Sequence, residues 1–413
     1  MQTLNAAQKI KKTVAGRIPV DWEAINLGDY LREISVRNSP VNPNLPVLSV
    51  TNTQGFVTSE SYFDRKVYSK DLSNYKIVHK DQFAYNPSRI NVGSIAQLKS
   101  FEKGCLSPMY VVFEAQKGLD ADYLAYWIQS GRFRNLIDAS TQGTVRDSVN
   151  FSALAGFPLA RPPVDEQKKI TTILSCLDDV ISKTQAVIEQ TKTLKKALIQ
   201  ELFTRGLPGR HKKFKKTKIG EIPEEWDLTT IGKSCENLDN LRKPLSESER
   251  NKMSGDVPYW GPTGPIDFID KHIFDEESEI VLIGEDGDHF MKWKTWPMAF
   301  LVRGKCWVNN HAHILRARKG CSNEWLWRYF EHRDIFPYLN ISGSRTRLKL
   351  NQGALSLIPF PLPDEIEQKK ITILIHDLDE RLRVEKDFHT SLKKTKSALM
   401  QVLLTGEVRV KGV

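Results

Sequence analysis

Two polar clusters in the second half of the chain contain residue types that often carry chemistry. Residues 284–289 read Gly-Glu-Asp-Gly-Asp-His, and residues 309–313 read Asn-Asn-His-Ala-His. On a strand, His311 and His313 would face the same side, as in a two-histidine metal site. An acidic residue of the first cluster would then complete a divalent-metal nuclease site. The first half contains no counterpart of this possible metal site, and acidic residues in a turn commonly stabilise only the turn. We therefore favour a different interpretation.

That interpretation is recognition of DNA bases. Asn pairs bidentately with adenine, Arg with guanine, and Asp or Glu accepts from cytosine. Residues 86–91 and 107–110 offer similar side chains in the first half, and polar stretches at 141–146 and 342–347 occupy equivalent places in the two halves. These two stretches could bind phosphate through Arg, Ser and Thr, or they could be ordinary surface loops. The predicted DNA-binding residues are Asn86, Ser88, Arg89, Asn91, Ser107, Tyr110, Thr144, Arg146, Trp260, Thr263, Glu285, Asp286, Asn309, Asn310, His311, His313, Ser344, Arg345 and Arg347.

Several enzyme motifs are absent from the sequence. Gly232-Lys233-Ser234 ends like a phosphate-binding loop, but Asp227 stands where the first glycine of that motif should be. The nearest string to the target-base loop of an amino-methyltransferase is at 85–89, and it lacks the second proline and the aromatic residue. No G-x-S-x-G or H-E-x-x-H motif is found. We therefore predict no catalytic and no metal-binding residue in this chain.

The chain contains an internal repeat that frames these clusters. Residues 166–206 match residues 367–407 at a constant shift of 201, with 15 of 41 positions identical. Residues 16–22 also match residues 220–226, at a shift of 204. The regions at about 30–140 and 234–340 show no convincing similarity. The sequence thus consists of two halves with common ends and different middles.

The repeated segments are predicted to be long helices whose apolar residues follow a heptad spacing. Prolines precede both segments, and Gly206 and Gly406 end them. A helix with one long apolar stripe needs a partner, which could be its own copy, another bundle helix or a second chain. The predicted seam residues are Ile170, Leu174, Leu177, Ile181, Ile188, Leu198, Leu202, Ile371, Ile375, Leu378, Leu382, Leu392, Leu399 and Leu403.

The two middles combine short apolar strands with helical patches, at about 121–138 and 323–338, which predicts an α+β globule in each half. Arg210 to Lys218 carries six positive charges and no acid. This basic linker is either a solvated connection or a phosphate-binding segment. The predicted domain boundaries are 1–163 for the first globule with a short N-terminal segment, 164–206 for the central helix, 207–219 for the linker, 220–363 for the second globule, and 364–413 for the C-terminal helix and tail.

Composition narrows the class of protein further. The 413 residues include 60 Lys and Arg against 50 Asp and Glu, a net charge of +10 that favours a polyanionic partner. Five well-separated cysteines without a C-x-x-C pair argue against a zinc ribbon or a disulfide framework and favour a reducing compartment. No membrane span and no signal peptide are recognisable, so we expect a cytoplasmic protein.

The ordered set of motifs resembles the specificity subunit of type I restriction-modification systems. Each half opens with G-x-I-P-x-x-W, continues through a variable globule and ends in a P-x-x-x-E-Q-K-K-I helix. The similarity covers nearly the whole chain, although a tandem four-residue repeat, which lengthens the helices of some relatives, is not seen. Strings similar to those of the family's target recognition domains lie at 85–96, 107–113, 284–287 and 307–313.

The resemblance implies two target recognition domains, each of which would recognise one half of a bipartite, asymmetric site in double-stranded DNA. The long helices would run antiparallel as a coiled coil, set the gap between the half-sites and dock two modification subunits. Those subunits would methylate adenine with S-adenosylmethionine, and restriction subunits with motor activity would use Mg and ATP. The specificity subunit itself would hold no cofactor and catalyse nothing, consistent with the missing motifs.

Overall fold

The computed structural model divides the chain into two compact units. The first unit comprises Met1–Gln185 with Asp387–Val413, and the second comprises Ala186–Lys386. Each unit therefore contains one globular region and one half of each long helix. Side chains at 340–342 and 347 are not described. The structure describes residues 9–42, 44–63, 68–141, 148–331, 333–342 and 347–410.

The first globular region is a mixture of short strands and helices followed by a long helix. Its strands are β1 (Ile10–Thr13), β2 (Gly16–Pro19), β3 (Glu23–Asn26), β4 (Leu31–Ile34), β5 (Leu48–Thr51), β6 (Gly55–Thr58), β7 (Lys76–His79), β8 (Phe83–Tyr85), β9 (Ile95–Gln97), β10 (Lys103–Leu106), β11 (Val111–Ala115) and β12 (Pro158–Arg161). Its helices are α1 (Ser59–Phe63), α2 (Ala121–Ile128), α3 (Gly131–Thr141), α4 (Phe151–Ala155) and the long α5 (Val164–Arg205).

The second globular region has the same kind of composition. Its strands are β13 (Phe214–Thr217), β14 (Gly220–Pro223), β15 (Asp227–Thr230), β16 (Cys235–Asn237), β17 (Ser254–Gly261), β18 (Gly264–Ile269), β19 (Glu279–Gly284), β20 (Ala299–Arg303), β21 (Trp307–Val308), β22 (Ala312–Ala317), β23 (Asn340–Ser342), β24 (Arg347–Lys349) and β25 (Pro359–Leu362). Its helices are α6 (Ile231–Ser234), α7 (Glu247–Arg250), α8 (Asn323–Glu331), α9 (Gln352–Leu357) and the long α10 (Glu365–Leu403). Within the predicted linker, β13 pairs with β14, so that part of it belongs to the globule.

Each globule contains a four-stranded sheet of the same topology, even though the middles of the two halves show no recognisable sequence similarity. The first has a four-stranded sheet in the order β4-β11-β8-β9, and the second has one in the order β16-β22-β19-β20. All neighbouring strands are antiparallel. The helical patches predicted at 121–138 and 323–338 contain α2, most of α3, and α8. The predicted α+β class is confirmed, and the two halves have the same strand order.

Each long helix is attached to a globule by the Glu-Gln pair at the start of its repeated motif. In the first unit, the Trp22 indole N–H donates to Glu166 at 3.0 Å. In the second, the Trp226 indole N–H donates to Glu367, also at 3.0 Å. All four side chains are buried. The matched G-x-I-P-x-x-W and E-Q-K-K-I motifs are therefore two halves of one joint.

The glutamines of the pair bind the segment that leaves the central sheet strand. Gln167 donates to the carbonyl oxygens of Gly118 and Pro162 at 3.1 and 2.9 Å, and it accepts from the backbone N–H of Asp120 at 2.7 Å. Gln368 makes the equivalent contacts with Gly320, Pro363 and Ser322 in the second unit. Gly118 follows β11, so the C-terminal end of that strand is held against α5. The C-terminal end of β22 is held against α10 in the same way.

Positive charge from the end of the other long helix completes each joint. In the first unit, Arg409 donates to Glu166 at 2.7 Å and to Asp21 at 2.8 Å. In the second unit, His211 takes this place and lies between two carboxylates. Its Nε2 is 2.8 Å from Glu367, and its Nδ1 is 2.5 Å from Glu225.

Within each unit, the two helix segments run antiparallel and their apolar residues join the core of the globule. In the first unit, Ile170 and Leu174 of α5 pack in one cluster with Met400 and Leu403 of α10. In the second, Leu202 of α5 packs in one cluster with Ile371 and Ile375 of α10. Every predicted seam residue is buried or half-buried. Gly206 and Gly406 adopt positive φ angles of 71° and 73° just after the helices, the usual glycine conformation at a helix end.

Candidate nucleic-acid interface

In each globule, the two predicted polar clusters lie together at one end of the sheet. Tyr85, the last residue of β8, pairs with Val111, the first residue of β11, so residues 86–91 lie beside 107–110. Gly284 at the end of β19 pairs with Ala312 at the start of β22, which brings 284–289 beside 309–313. The clusters of the two halves therefore occupy equivalent places. This end of the sheet, which we call the loop end, is opposite the end of β11 or β22 that is attached to a long helix.

A third segment reaches the loop end in each globule. The Val149 N–H donates to the Pro87 carbonyl at 3.1 Å, and the Leu350 N–H donates to the Glu285 carbonyl at 2.8 Å. Val149 and Leu350 are related by the repeat shift of 201 and follow the two predicted phosphate-binding stretches. Of the predicted residues there, Thr144, Arg146, Ser344 and Arg345 lie outside the described residues, as does the side chain of Arg347. Their DNA contacts stay predictions.

In the first globule, the predicted residues divide into buried and exposed groups. Asn86 is buried, and its Oδ1 accepts from the Ser88 N–H at 3.1 Å. Tyr110 is also buried, and its hydroxyl oxygen accepts from the Val50 N–H at 3.3 Å. These two side chains shape the loops from inside. The side chains left at the surface are Ser88, Arg89 and Asn91, with Ser107 half-buried.

In the second globule, Glu285 is a buried carboxylate held by two cations. Its Oε2 accepts from Arg242 Nη1, and its Oε1 accepts from Lys349 Nζ at 2.9 Å. Burial alone would raise the pKa of Glu285, but the hydrogen bonds from Lys349 and Arg242 outweigh it and hold the pKa below its usual range. Glu285 therefore stays charged and ties three loop-end segments together.

His313 belongs to a second buried group beneath the loops. Its Nδ1 lies 2.7 Å from an Asp239 carboxylate oxygen, and its Nε2 lies 2.7 Å from the Leu350 carbonyl oxygen. Burial would raise the pKa of Asp239, but its hydrogen bond with His313 contributes to a pKa below the usual range.

His311 is the more exposed of the two histidines and has a different partner. Its Nδ1 is 2.9 Å from Asp286, and its side chain is 44% exposed. The two histidines thus engage separate carboxylates rather than converging on one point. Within the described part of the chain, no group of three or more His, Cys, Asp or Glu side chains is placed to hold a metal ion.

The other described residues predicted in the second globule are Trp260, Thr263, Asn309 and Asn310. Asn309 is buried, its N–H donates to the Trp260 carbonyl at 3.0 Å, and its Oδ1 accepts from the His311 N–H at 2.8 Å. Trp260 and Thr263 are half-buried, and Asn310 is exposed. Of the polar side chains in the two clusters of this loop end, those of Asp288 and Asn310 are exposed, and that of His311 is 44% exposed.

Sequence reasoning missed several residues that organise this face. Asp239 and Arg242 follow β16 and bind side chains that are 74 and 43 residues further along the chain. No local sequence pattern predicts contacts between residues so far apart in the chain. His289 was recognised only as part of a cluster. It is buried, neither ring nitrogen has a partner among the described residues, and burial lowers its pKa to about 4, so it is neutral. Gly284 makes room for it, since a Cβ there would lie 2.4 Å from its Nε2.

The predicted basic linker combines internal pairing with exposed charge. Arg210 pairs with Asp364 at 2.5 Å, and His211 is held between carboxylates as described above. Lys212, Lys213, Lys216 and Lys218 are exposed. The first part of this segment therefore has a structural role within the second unit, and any phosphate contact would fall to these lysines.

Comparison with known proteins identifies the family. The model of the type I restriction modification DNA specificity domain matches twice, at residues 19–192 and 223–394. The chain belongs to this family and has the role of a type I restriction-modification specificity subunit with two DNA recognition domains.

Individual relatives agree over the full length. The chain is 24% identical over 424 residues to the putative type I restriction enzyme MjaX specificity subunit of Methanocaldococcus jannaschii, covering 98% of this chain and 97% of that protein. A chain from a solved structure that concerns complex assembly and conformational transition of the type I R-M system has a TM-score of 0.58 with this chain. The two are 16% identical, over 95% of this chain and 99% of that one. The solved structure of the type I restriction-modification S subunit from M. genitalium has a TM-score of 0.55 at 15% identity, over 100% of this chain and 99% of that one. These structures support the fold, and no described helix is long and apolar enough to cross a membrane.

Proposed function

We propose that each globule recognises one half of a bipartite, asymmetric site in double-stranded DNA. The observation that carries this proposal is the pair of loop ends, which occupy equivalent places on equivalent sheets but present different side chains. The first presents Ser88, Arg89 and Asn91, and the second presents Asn310 and His311. Amide and guanidinium groups can distinguish base edges in the major groove. Different side chains on the same scaffold would produce different half-sites.

The two long helices are proposed to set the gap between half-sites and to dock two adenine methyltransferase subunits. A continuous α5 of 42 residues is about 63 Å long. Matched ion pairs support a defined helix register: Lys195 binds Asp379 at 2.5 Å, and Lys396 binds Asp178 at 2.6 Å. The two pairs are related by the shift of 201, so each half supplies one lysine and one aspartate.

The chain itself is proposed to be non-catalytic and to act on DNA in the cytoplasm. S-adenosylmethionine would be bound by the modification subunits, and Mg and ATP would be used by the restriction subunits. The missing enzyme motifs and the separate engagement of His311 and His313 support this division of labour.

The experiment is to map adenine methylation in a host without other methylation. The chain is expressed with its neighbouring modification subunit, with that subunit alone as one control and the chain alone as another. We expect a bipartite motif with a constant gap only when both are present. Modification by the chain alone would contradict the non-catalytic role, and a contiguous motif would contradict recognition by two halves.

A further inference from the structure

The loop end of the first globule presents an apolar side chain next to polar ones. Met109 is 60% exposed in this place. In the neighbouring cluster, the exposed polar side chains are those of Ser88, Arg89 and Asn91. A single exposed apolar residue is common on protein surfaces, so exposure alone indicates no function. Met109, however, is held in place through both its backbone and its side chain.

The backbone of Met109 belongs to a tight turn. The Tyr110 N–H donates to the Ser107 carbonyl at 3.0 Å, which closes a β-turn with Pro108 and Met109 at its centre. Proline at the first central position has the φ angle that such a turn needs. The turn is also anchored from below, because Tyr110 is buried and its hydroxyl accepts from the Val50 N–H at 3.3 Å. Met109 therefore lies at the tip of an anchored turn.

The side chain of Met109 is held by a buried amide. Asn86 Nδ2 donates to Met109 Sδ at 3.6 Å, while Asn86 Oδ1 accepts from the Ser88 N–H. A methionine side chain has three rotatable bonds and is flexible when nothing holds it. The contact with Asn86 restricts that freedom before any partner binds, which lowers the entropic cost of binding. An exposed apolar group that is ordered in this way is suited to a specific contact.

The surroundings of Met109 favour DNA as the partner that covers it. The two clusters of this loop end, 86–91 and 107–110, contain no acidic residue, and Arg89 is exposed. In the major groove, the base edges present hydrogen-bonding groups and one apolar group, the C5 methyl of thymine. An apolar side chain on a surface that reads base edges therefore favours thymine over the other bases.

We propose that Met109 contacts the C5 methyl group of a thymine in the half-site bound by the first globule. The proposal rests on the function proposed above and adds to it the identity of one base pair, an A·T pair. Arg89 and Asn91 offer hydrogen bonds on the same surface, whereas Met109 supplies an apolar contact. Recognition by this globule thus combines polar and apolar readout.

Deoxyuridine tests the contact, because it differs from thymidine only in lacking the C5 methyl group. The full chain is assembled with its modification subunit, and the bipartite site is taken from the methylation map. Thymines of both half-sites are replaced one at a time by deoxyuridine, and binding is measured by competition with the unmodified duplex. The series is repeated with Met109→Ala and with Met109→Gln, which keeps a long side chain but makes its end polar.

We expect one replacement in one half-site to weaken wild-type binding about fourfold, as for one methyl group that is no longer buried. The same replacement should have almost no effect on either Met109 variant. Two controls should keep the wild-type difference. Met291→Ala removes a methionine that is 66% exposed in the second globule, and Val92→Ala removes an exposed apolar side chain next to the 86–91 cluster.

Loss of the difference in the Met109 variants alone would support the contact. Two results would overturn it while the proposed function stands: no sensitivity to deoxyuridine in either half-site, or the same sensitivity in Met109→Ala as in the wild type. A complex that yields no bipartite site would overturn the proposed function and the contact together. Circular dichroism of each variant checks that the fold is retained, and the wild-type series tests the contact even if a variant does not fold.

Discussion

The ion pair between Lys195 and Asp379 offers a sharp test of how the two long helices are matched. Lys195 of α5 is buried, and its Nζ lies 2.5 Å from Asp379 of α10. Arg328 also binds Asp379, at 2.7 Å, and Glu331, again at 2.7 Å. The cluster thus holds two cations and two anions. We expect Lys195→Met to leave one unbalanced negative charge in a largely buried place.

The size of the effect follows from this charge count. Removing one member of a buried pair costs about 3–5 kcal/mol because the other charge stays desolvated. Asp379 is 31% exposed and keeps its contact with Arg328, so solvent and the second cation reduce the penalty. We therefore expect Lys195→Met to lower the free energy of unfolding by about 1–3 kcal/mol. Asp379→Asn, which leaves an excess positive charge, should cost a similar amount.

The assay is urea unfolding of the full chain for the two single variants and the double variant. The double variant leaves the balanced Arg328–Glu331 pair, so its loss should be at least about 1 kcal/mol smaller than the sum of the singles. Lys396→Met is the matched control, because Asp178 is 41% exposed and keeps the hydrogen bond from the Tyr126 hydroxyl at 2.8 Å, so the cost should be below about 1 kcal/mol. Strict additivity in the double variant, or an equal loss for Lys195→Met and Lys396→Met, would refute this reasoning.

Three further predictions follow from single sites. Burial alone would lower the pKa of His211, but its hydrogen bonds with Glu367 and Glu225 outweigh burial and raise it. The stabilisation of the folded state by His211 is therefore full below the unfolded pKa of about 6.5 and is lost as pH rises through the folded pKa. The cost of His211→Gln, measured by urea unfolding, should shrink at alkaline pH. Gly284→Ala should cost about 1–3 kcal/mol in thermal unfolding, because its Cβ would collide with His289, and an unchanged melting temperature would contradict this. Arg89→Ala should weaken DNA binding by about 1–3 kcal/mol in a binding titration if Arg89 contacts a base, and undiminished affinity would exclude that contact.

The sequence predicted the parts of this fold that depend on local pattern. The long helices follow from an uninterrupted heptad spacing between prolines and a terminal glycine, which α5 reproduces as Val164–Arg205. The short strands of the middles follow from brief runs of β-branched and aliphatic residues, and one such run, at 280–283, lies at the centre of β19. Each of these patterns depends on residues that are only a few positions apart in the chain.

The arrangement of the loop end could not be predicted because its contacts are distant in sequence. Asp239 reaches His313, 74 residues away, and Arg242 reaches Glu285, 43 residues away. Nothing local marks these as partners.

The two ends of the central sheet strand explain why some parts of the halves repeat and others do not. β11 and β22 each leave the sheet toward a glutamine of a long helix, and both glutamines make the same three backbone contacts. A joint that depends on one glutamine, one glutamate and one tryptophan tolerates little change in residue type. At the opposite end, the loops need only continue the strands, so their side chains can differ while the sheet is retained. Substitution at the loop end should therefore alter DNA recognition without loss of the helix attachment, whereas substitution of Gln167 or Gln368 should loosen the globule from its helix.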